Sequence, residues 1–180
     1  MLRITIPAME LFDERKQEFI NTKEQTLQLE HSLVSLSKWE SKWCKSFIST
    51  PDKTDEEIKD YIKCMTLTQN VPDNIYEYIP NSIIEEIVQY INAPMTATTI
   101  REDKNSPKNR EIVTAELIYY WMISFGIPWE CQKWHINRLI TLIKVCGIKN
   151  TPPKKQSKSS IASEGAALNA ARKKQHNTRG

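Results

Sequence analysis

The chain has 180 residues, 39% of them hydrophobic, with 25 Lys and Arg against 22 Asp and Glu. That is enough for one packed domain and a tail. Only four glycines occur, and no G-x-G-x-x-G or G-x-x-x-x-G-K can be written from them, which excludes the common phosphate-cradling loops. No apolar run is long enough to span a bilayer.

In chain order, residues 2–6, "LRITI", alternate and end at Pro7. "EFINT" (18–22) and "TLQLEHS" (26–32) alternate as well. With "ELFDERKQ" between them as a charged turn, the segment predicts a small β-hairpin or meander. The apolar run before the first charges is too short for a signal peptide. A reducing cytosol is therefore expected, and Cys44, Cys64, Cys131 and Cys146, with no C-x-x-C, read as thiols.

The period then changes. Leu33, Leu36, Trp39, Trp43 and Phe47 step by three and four, which places them on one helix face behind Ser32 as N-cap. Trp39 and Trp43 are interleaved with Lys38, Lys42 and Lys45, which predicts a partly exposed aromatic stripe. Thr54 with Glu57 has capping-box spacing, and Ile58, Tyr61, Ile62 and Met65 form the following apolar face. Val71-Pro72 turns the chain, and "DNIYEYI" is at most a short helix. Ser82 with Glu85 repeats the capping-box spacing ahead of Ile83, Ile84, Ile87, Val88 and Ile91, and Pro94 stops that helix. The carboxylates of Glu56, Glu57, Glu85 and Glu86 read as a solvated face.

"MTATTIREDKNSPKNREIVT" predicts a second hairpin, with strands at about 96–101 and 109–113 around a polar loop. From Thr114, "AELIYYWMISFG" is apolar nearly all round and predicts a buried helix. Gly126 fits a left-handed C-terminal position, and Pro128 fits the first turn of a last helix that runs to about Cys146 and ends at Gly147. On that helix Cys131 and His135 share a face, a spacing that suits two metal ligands. Cys146 lies about 16 Å further along it, too far for one ion to meet all three. The neighbours Trp129, Trp134, Ile136 and Leu139 are apolar, no orienting carboxylate is evident for a Cys–His nucleophile, and the reading adopted is a core helix with no catalytic, cofactor or metal residues. Trp129 and Trp134 are candidate partner contacts, since tryptophan buries much area and keeps a polar handle.

After Asn150 the composition shifts to Pro, Ser and Lys. Residues 151–180 predict a flexible basic tail with a possible short helix in "SIASEGAALNAARKK", following a 1–150 domain that is mainly α (α+β) with two small hairpins. The formal net charge of +3 hides an asymmetry: Lys144 to Gly180 hold nine Lys and Arg against Glu164 alone, a balance of +8, and the first 143 residues carry −5. Arg172, Lys173 and Lys174 are candidate contacts for an acidic partner surface. The tail has no aromatics for base stacking and the acidic body repels phosphate, which argues against nucleic acid.

"QTLQLEHSLVSLSKWESKW" (25–43), "TAELIYYWMISFGIPWECQKWHINRLITLI" (114–143) and "AALNAARKKQHNTRG" (166–180) together resemble the tail assembly chaperones of long-tailed bacteriophages and prophages. The resemblance spans most of the chain and rests on wording and element order, without a catalytic motif. It implies a non-enzymatic helper in the host cytoplasm during assembly. Such a helper binds the aggregation-prone tape measure protein, helps recruit tail tube subunits and leaves the finished particle. Trp39, Trp43, Trp129 and Trp134 are then the expected contacts, and self-association is compatible with the same surfaces. A structural virion protein, such as a head–tail connector or neck component, and a nucleic-acid-binding accessory protein are the rival expectations.

Overall fold

The computed structural model describes residues 1–13, 18–100, 111–151 and 158–176. They form a mainly α, α+β structure. The chain divides into two compact units, Met1–Gly147 and Ile148–Gly180.

Four strands open the first unit: β1 (Leu2–Ile6), β2 (Met9–Asp13), β3 (Glu18–Thr22) and β4 (Gln25–Leu29). β1 pairs with β4 and β2 with β3, both antiparallel. The two pairs keep one register, since Ile6 faces Gln25 and Met9 faces Thr22. They are thus two lengths of one long hairpin, interrupted at Pro7, which has no N–H to give to a ladder. The charged "ELFD" was expected to turn. It is strand instead, because the register of the ribbon carries past Pro7 and β3 supplies its backbone partners. On β1 and β4 the alternation works as the period-2 rule demands: Ile4, Ile6, Leu27 and Leu29 are buried, while Thr5 and Thr26 bond each other on the other face at 3.2 Å.

Helix α1 (Leu33–Trp43) starts at Ser32, whose hydroxyl accepts from the Ser35 N–H. It ends where Cys44 turns left-handed at φ 51°. Helix α2 (Asp55–Met65) starts at Thr54 with a complete capping box to Glu57. After α2 the chain returns to β4, with Leu67 N–H donating to the Gln28 carbonyl at 2.7 Å. Helix α3 (Asn74–Glu77) is one turn. Helix α4 (Asn81–Asn92) begins behind Pro80 and has no side-chain cap, so Ser82 is already inside the helix and the expected Ser82–Glu85 capping box does not form.

The described flanks of the expected second hairpin, 96–100 and 111–113, are not strand, and 101–110 lie outside the described residues. Val113 is instead tied to the segment after α1, its N–H donating to Ser49 Oγ at 3.1 Å and its carbonyl accepting from Ser46 Oγ. Helix α5 (Ala115–Ser124) is capped by Thr114. It buries only Ala115, Ile118 and Met122, and leaves Tyr120 63% and Ile123 65% exposed, so it lies on the surface despite its composition. Gly126 takes φ 63°, as expected of a left-handed position.

A 3-10 turn, Trp129–Lys133, separates α5 from helix α6 (Ile136–Asn150). The expected single helix is broken at Trp134 and His135 because the Ile136 N–H is drawn to the His31 carbonyl at 2.7 Å. Gly147 does not end α6; the helix runs through it to Asn150, a position glycine tolerates at a cost of about 1 kcal/mol. In the second unit, helix α7 spans Lys158–His176 with Lys173, Lys174 and His176 in its last turn.

The core of the first unit gathers β1, β4, α1, α2, α5 and the start of α6 around Leu33, Leu36, Trp39, Tyr61, Met65 and Leu139. Glu40 ties this core to the chain around it. Its buried carboxylate accepts from the Phe47 N–H at 2.8 Å and the Ala115 N–H at 2.7 Å, which binds α1, the segment after it and the start of α5 together. Burial still pushes the Glu40 carboxyl up despite those two bonds, with Glu116 acting in the same direction.

Candidate functional site

Helix α4 carries more apolar side chains than the core uses: of Ile83, Ile84, Ile87, Val88 and Ile91, only Ile87 is buried. Ile84, Ile87, Val88 and Ile91 line a cavity of about 620 Å³, with Ile84 and Ile91 also packed against the edge of the core. Its other walls are the segment from Phe47 to Lys53, Ile58 of α2 and Ile140 of α6. Ile48, 41% exposed, and Val88, 43% exposed, are wall residues open to solvent. The size is that of a ligand pocket, and the walls are mostly hydrocarbon.

The cavity also reaches a buried polar cluster. His31 follows β4 and Tyr61 sits on α2; the His31 Nδ1 and the Tyr61 hydroxyl are hydrogen-bonded. The His31 ring meets the His135 ring edge-on, centroids 5.0 Å apart, and Phe47 stacks on Tyr61 at 3.7 Å. Burial, with a smaller contribution from His135, holds the His31 imidazole down at about 3. The Tyr61 phenol is pushed far above its ordinary value, chiefly by burial. Both are uncharged at neutral pH. His135 is also lowered, by burial first. Its Nε2–H donates to the Tyr90 carbonyl at 3.0 Å and its Nδ1 accepts from the Asn137 N–H at 3.3 Å, which fixes the tautomer because a carbonyl can only accept. Tyr90 in turn donates to Glu30 Oε1 at 2.6 Å.

Each of the four tryptophans expected to meet a partner has a definite place. Trp39 is 0% exposed, its Nε1–H donating to the Glu57 carbonyl at 2.9 Å. It presents nothing to a partner, and the expected exposed stripe fails there. Trp43 is half-buried, stacked on Trp39 with centroids 6.1 Å apart, and donates to Asp60 Oδ2 at 2.9 Å. It borders a second, shallower hollow of about 330 Å³ with Lys42, Lys63 and Tyr76. Trp134 is half-buried under the Arg138 guanidinium, 4.1 Å from the ring centroid. Trp129 is 54% exposed and leans on Tyr119. Arg172, Lys173 and Lys174 are exposed on α7 in the other unit.

Glu57 departs from the expected solvated face: it is buried, with Lys45 Nζ on Oε1 at 2.6 Å, and that bond is the main reason its carboxyl is held low. Glu56, Glu85 and Glu86 are exposed. Cys131 lies in the 3-10 turn and His135 after it, so the two do not share a helix face, and burial pushes the Cys131 thiol up. Among the described residues no group of three or more His, Cys, Asp and Glu is placed to hold a metal ion. No helix among them is long and apolar enough to cross a membrane.

His31, Lys53, Tyr61 and Val88 carry no mark in the sequence that singles them out as site residues. One signal for the cavity was present, namely the excess of apolar residues on α4. Comparison with protein-family models, curated proteins and solved structures finds no match for this chain.

Proposed function

We propose that the chain is a non-enzymatic binding protein, a phage tail assembly chaperone that holds apolar segments of the tape measure protein in the cavity between α2, α4 and α6 and helps recruit tail tube subunits. The observation that carries this reading is the apolar cavity itself, with Ile48 and Val88 exposed on its walls. Chains that would otherwise aggregate through aliphatic side chains find a matching surface there. The resemblance of segments 25–43, 114–143 and 166–180 to that chaperone group points to the same class of partner.

The test is co-expression with the tape measure protein of the same phage, followed by capture on this chain. The partner is expected in the soluble fraction and on the resin. A Val88→Asp variant, which places a charge in the cavity wall from an already half-open position, should capture at least fivefold less while melting at an unchanged temperature. An insoluble, uncaptured partner, with this chain present in stoichiometric amount in finished particles, would favour a structural virion protein instead.

A further inference from the structure

The cavity carries a charge that its hydrocarbon walls do not use. Lys53 lines it half-buried, with Nζ 4.3 Å from the centre of the Phe47 ring and donating to the Thr50 carbonyl at 2.5 Å. An ammonium has three donors, and the carbonyl takes one of them. Lys42, Lys45 and Lys63 each form an ion pair, with Asp60, Glu57 and Asp73. Lys53 forms none among the described residues. Burial lowers its pKa, and the carboxylates of Glu57 and Asp52 oppose that from beyond ion-pair distance. Glu57 is already engaged by Lys45, and Asp52, also a lining residue, is exposed to solvent. The other titratable groups of the lining, His31 and Tyr61, bond each other.

We infer that the segment held in this cavity carries a carboxylate within about one turn of its buried aliphatic side chains, the carboxylate meeting Lys53 and the aliphatic groups filling the space between α2, α4 and α6. This rests on the chaperone reading and narrows it to acid-flanked apolar segments of the partner. The α4 wall from Ile84 to Ile91 covers about 10 Å of helix, a length that two turns of a helical occupant would match with side chains at i and i+3 or i+4. A half-desolvated cation at the edge of an apolar pocket favours such a segment over a neutral one and discriminates strongly against a basic one.

The experiment titrates overlapping peptides that span the tape measure protein against the full chain and its Lys53→Met and Lys53→Glu variants. Methionine keeps an apolar stem against Phe47 and removes the charge together with the bond to the Thr50 carbonyl. The expected result is that the bound peptides carry Asp or Glu beside an apolar pair. Lys53→Met should weaken them about fivefold and Lys53→Glu at least tenfold, and Lys53→Glu should gain peptides flanked by Lys. Peptides bound without regard to acidic residues, and equally by all three proteins, would overturn the inference and leave the chaperone reading standing. So would unchanged capture of the full-length partner by Lys53→Glu where no short peptide binds. Failure of the unaltered chain to capture either peptides or the full-length partner would overturn both.

Discussion

Burial keeps the His31 imidazole neutral, and that has a consequence for stability. Its pKa is about 3 when folded and 6.5 when exposed. Between these values the unfolded chain binds the proton and the folded one does not, so the contribution is fully present above pH 6.5 and is lost as pH falls towards 3. The slope approaches about 1.4 kcal/mol per pH unit within that window. His135, lowered for the same reason, adds in the same direction. A His31→Phe variant should show a flatter fall of urea midpoint from pH 6.5 to 4.5. At pH 7 it should be less stable by about 1–3 kcal/mol, since the Tyr61 hydroxyl loses its bond to His31. An unchanged slope would mean that His31 is protonated in the fold. The tryptophans give a second contrast at this scale. Trp39→Ala should cost about 3–5 kcal/mol through the cavity it leaves and the lost bond to the Glu57 carbonyl, whereas Trp129→Ala at its exposed site should cost within about 0.5 kcal/mol, both read by denaturant melts. The sequence did not separate these residues, for a geometric reason. Neighbours on a helix point about 100° apart, so the exposed lysine at 38 says nothing about Trp39. Buried Glu57 beside exposed Glu56 is a case of the same geometry.

Elements were legible where their signals are local. Ser32, Thr54 and Thr114 each cap the helix they precede, because the cap is a bond between a side chain and a backbone N–H three residues on. The Ser82–Glu85 pair had the same spacing and no cap, since Pro80 fixes its φ and lets the helix begin one residue ahead of Ser82. The two cases yield a paired prediction. Thr54→Ala should lower stability by about 1 kcal/mol, with Ser82→Ala within about 0.5 kcal/mol of the parent, as read from thermal melts. A comparable loss in both would mean that Ser82 caps α4 in solution. What the sequence hid depends on distant partners. The break before α6 is made by the His31 carbonyl, more than a hundred residues upstream, and β2 is a strand only because β3 pairs with it. Apolar residues on α4 and α5 gave no hint which would be core and which would line a cavity or face water, because periodicity reports composition and not what lies opposite.

For the whole molecule, the division of the chain and the distribution of its core make one claim together. Every buried hydrophobic residue among those described lies at or before Ile143, within the unit Met1–Gly147. Hydrophobic burial dominates folding stability, so the described residues after the end of α6 are expected to contribute little to it. The same residues carry most of the positive excess, and without them the formal charge changes sign from positive to negative. A chain ending at Thr151, which keeps α6 complete, should therefore fold and melt within about 2 °C of the full chain. It should also move from cation- to anion-exchange retention at pH 7. The cavity between α2, α4 and α6 is built from residues 31 to 140, so this shortened chain should still capture the tape measure protein if the proposed function holds. A melting temperature lowered by 10 °C or more would show that the fold needs the basic segment. Retained stability with lost capture would move the partner's site from the cavity to Arg172, Lys173 and Lys174.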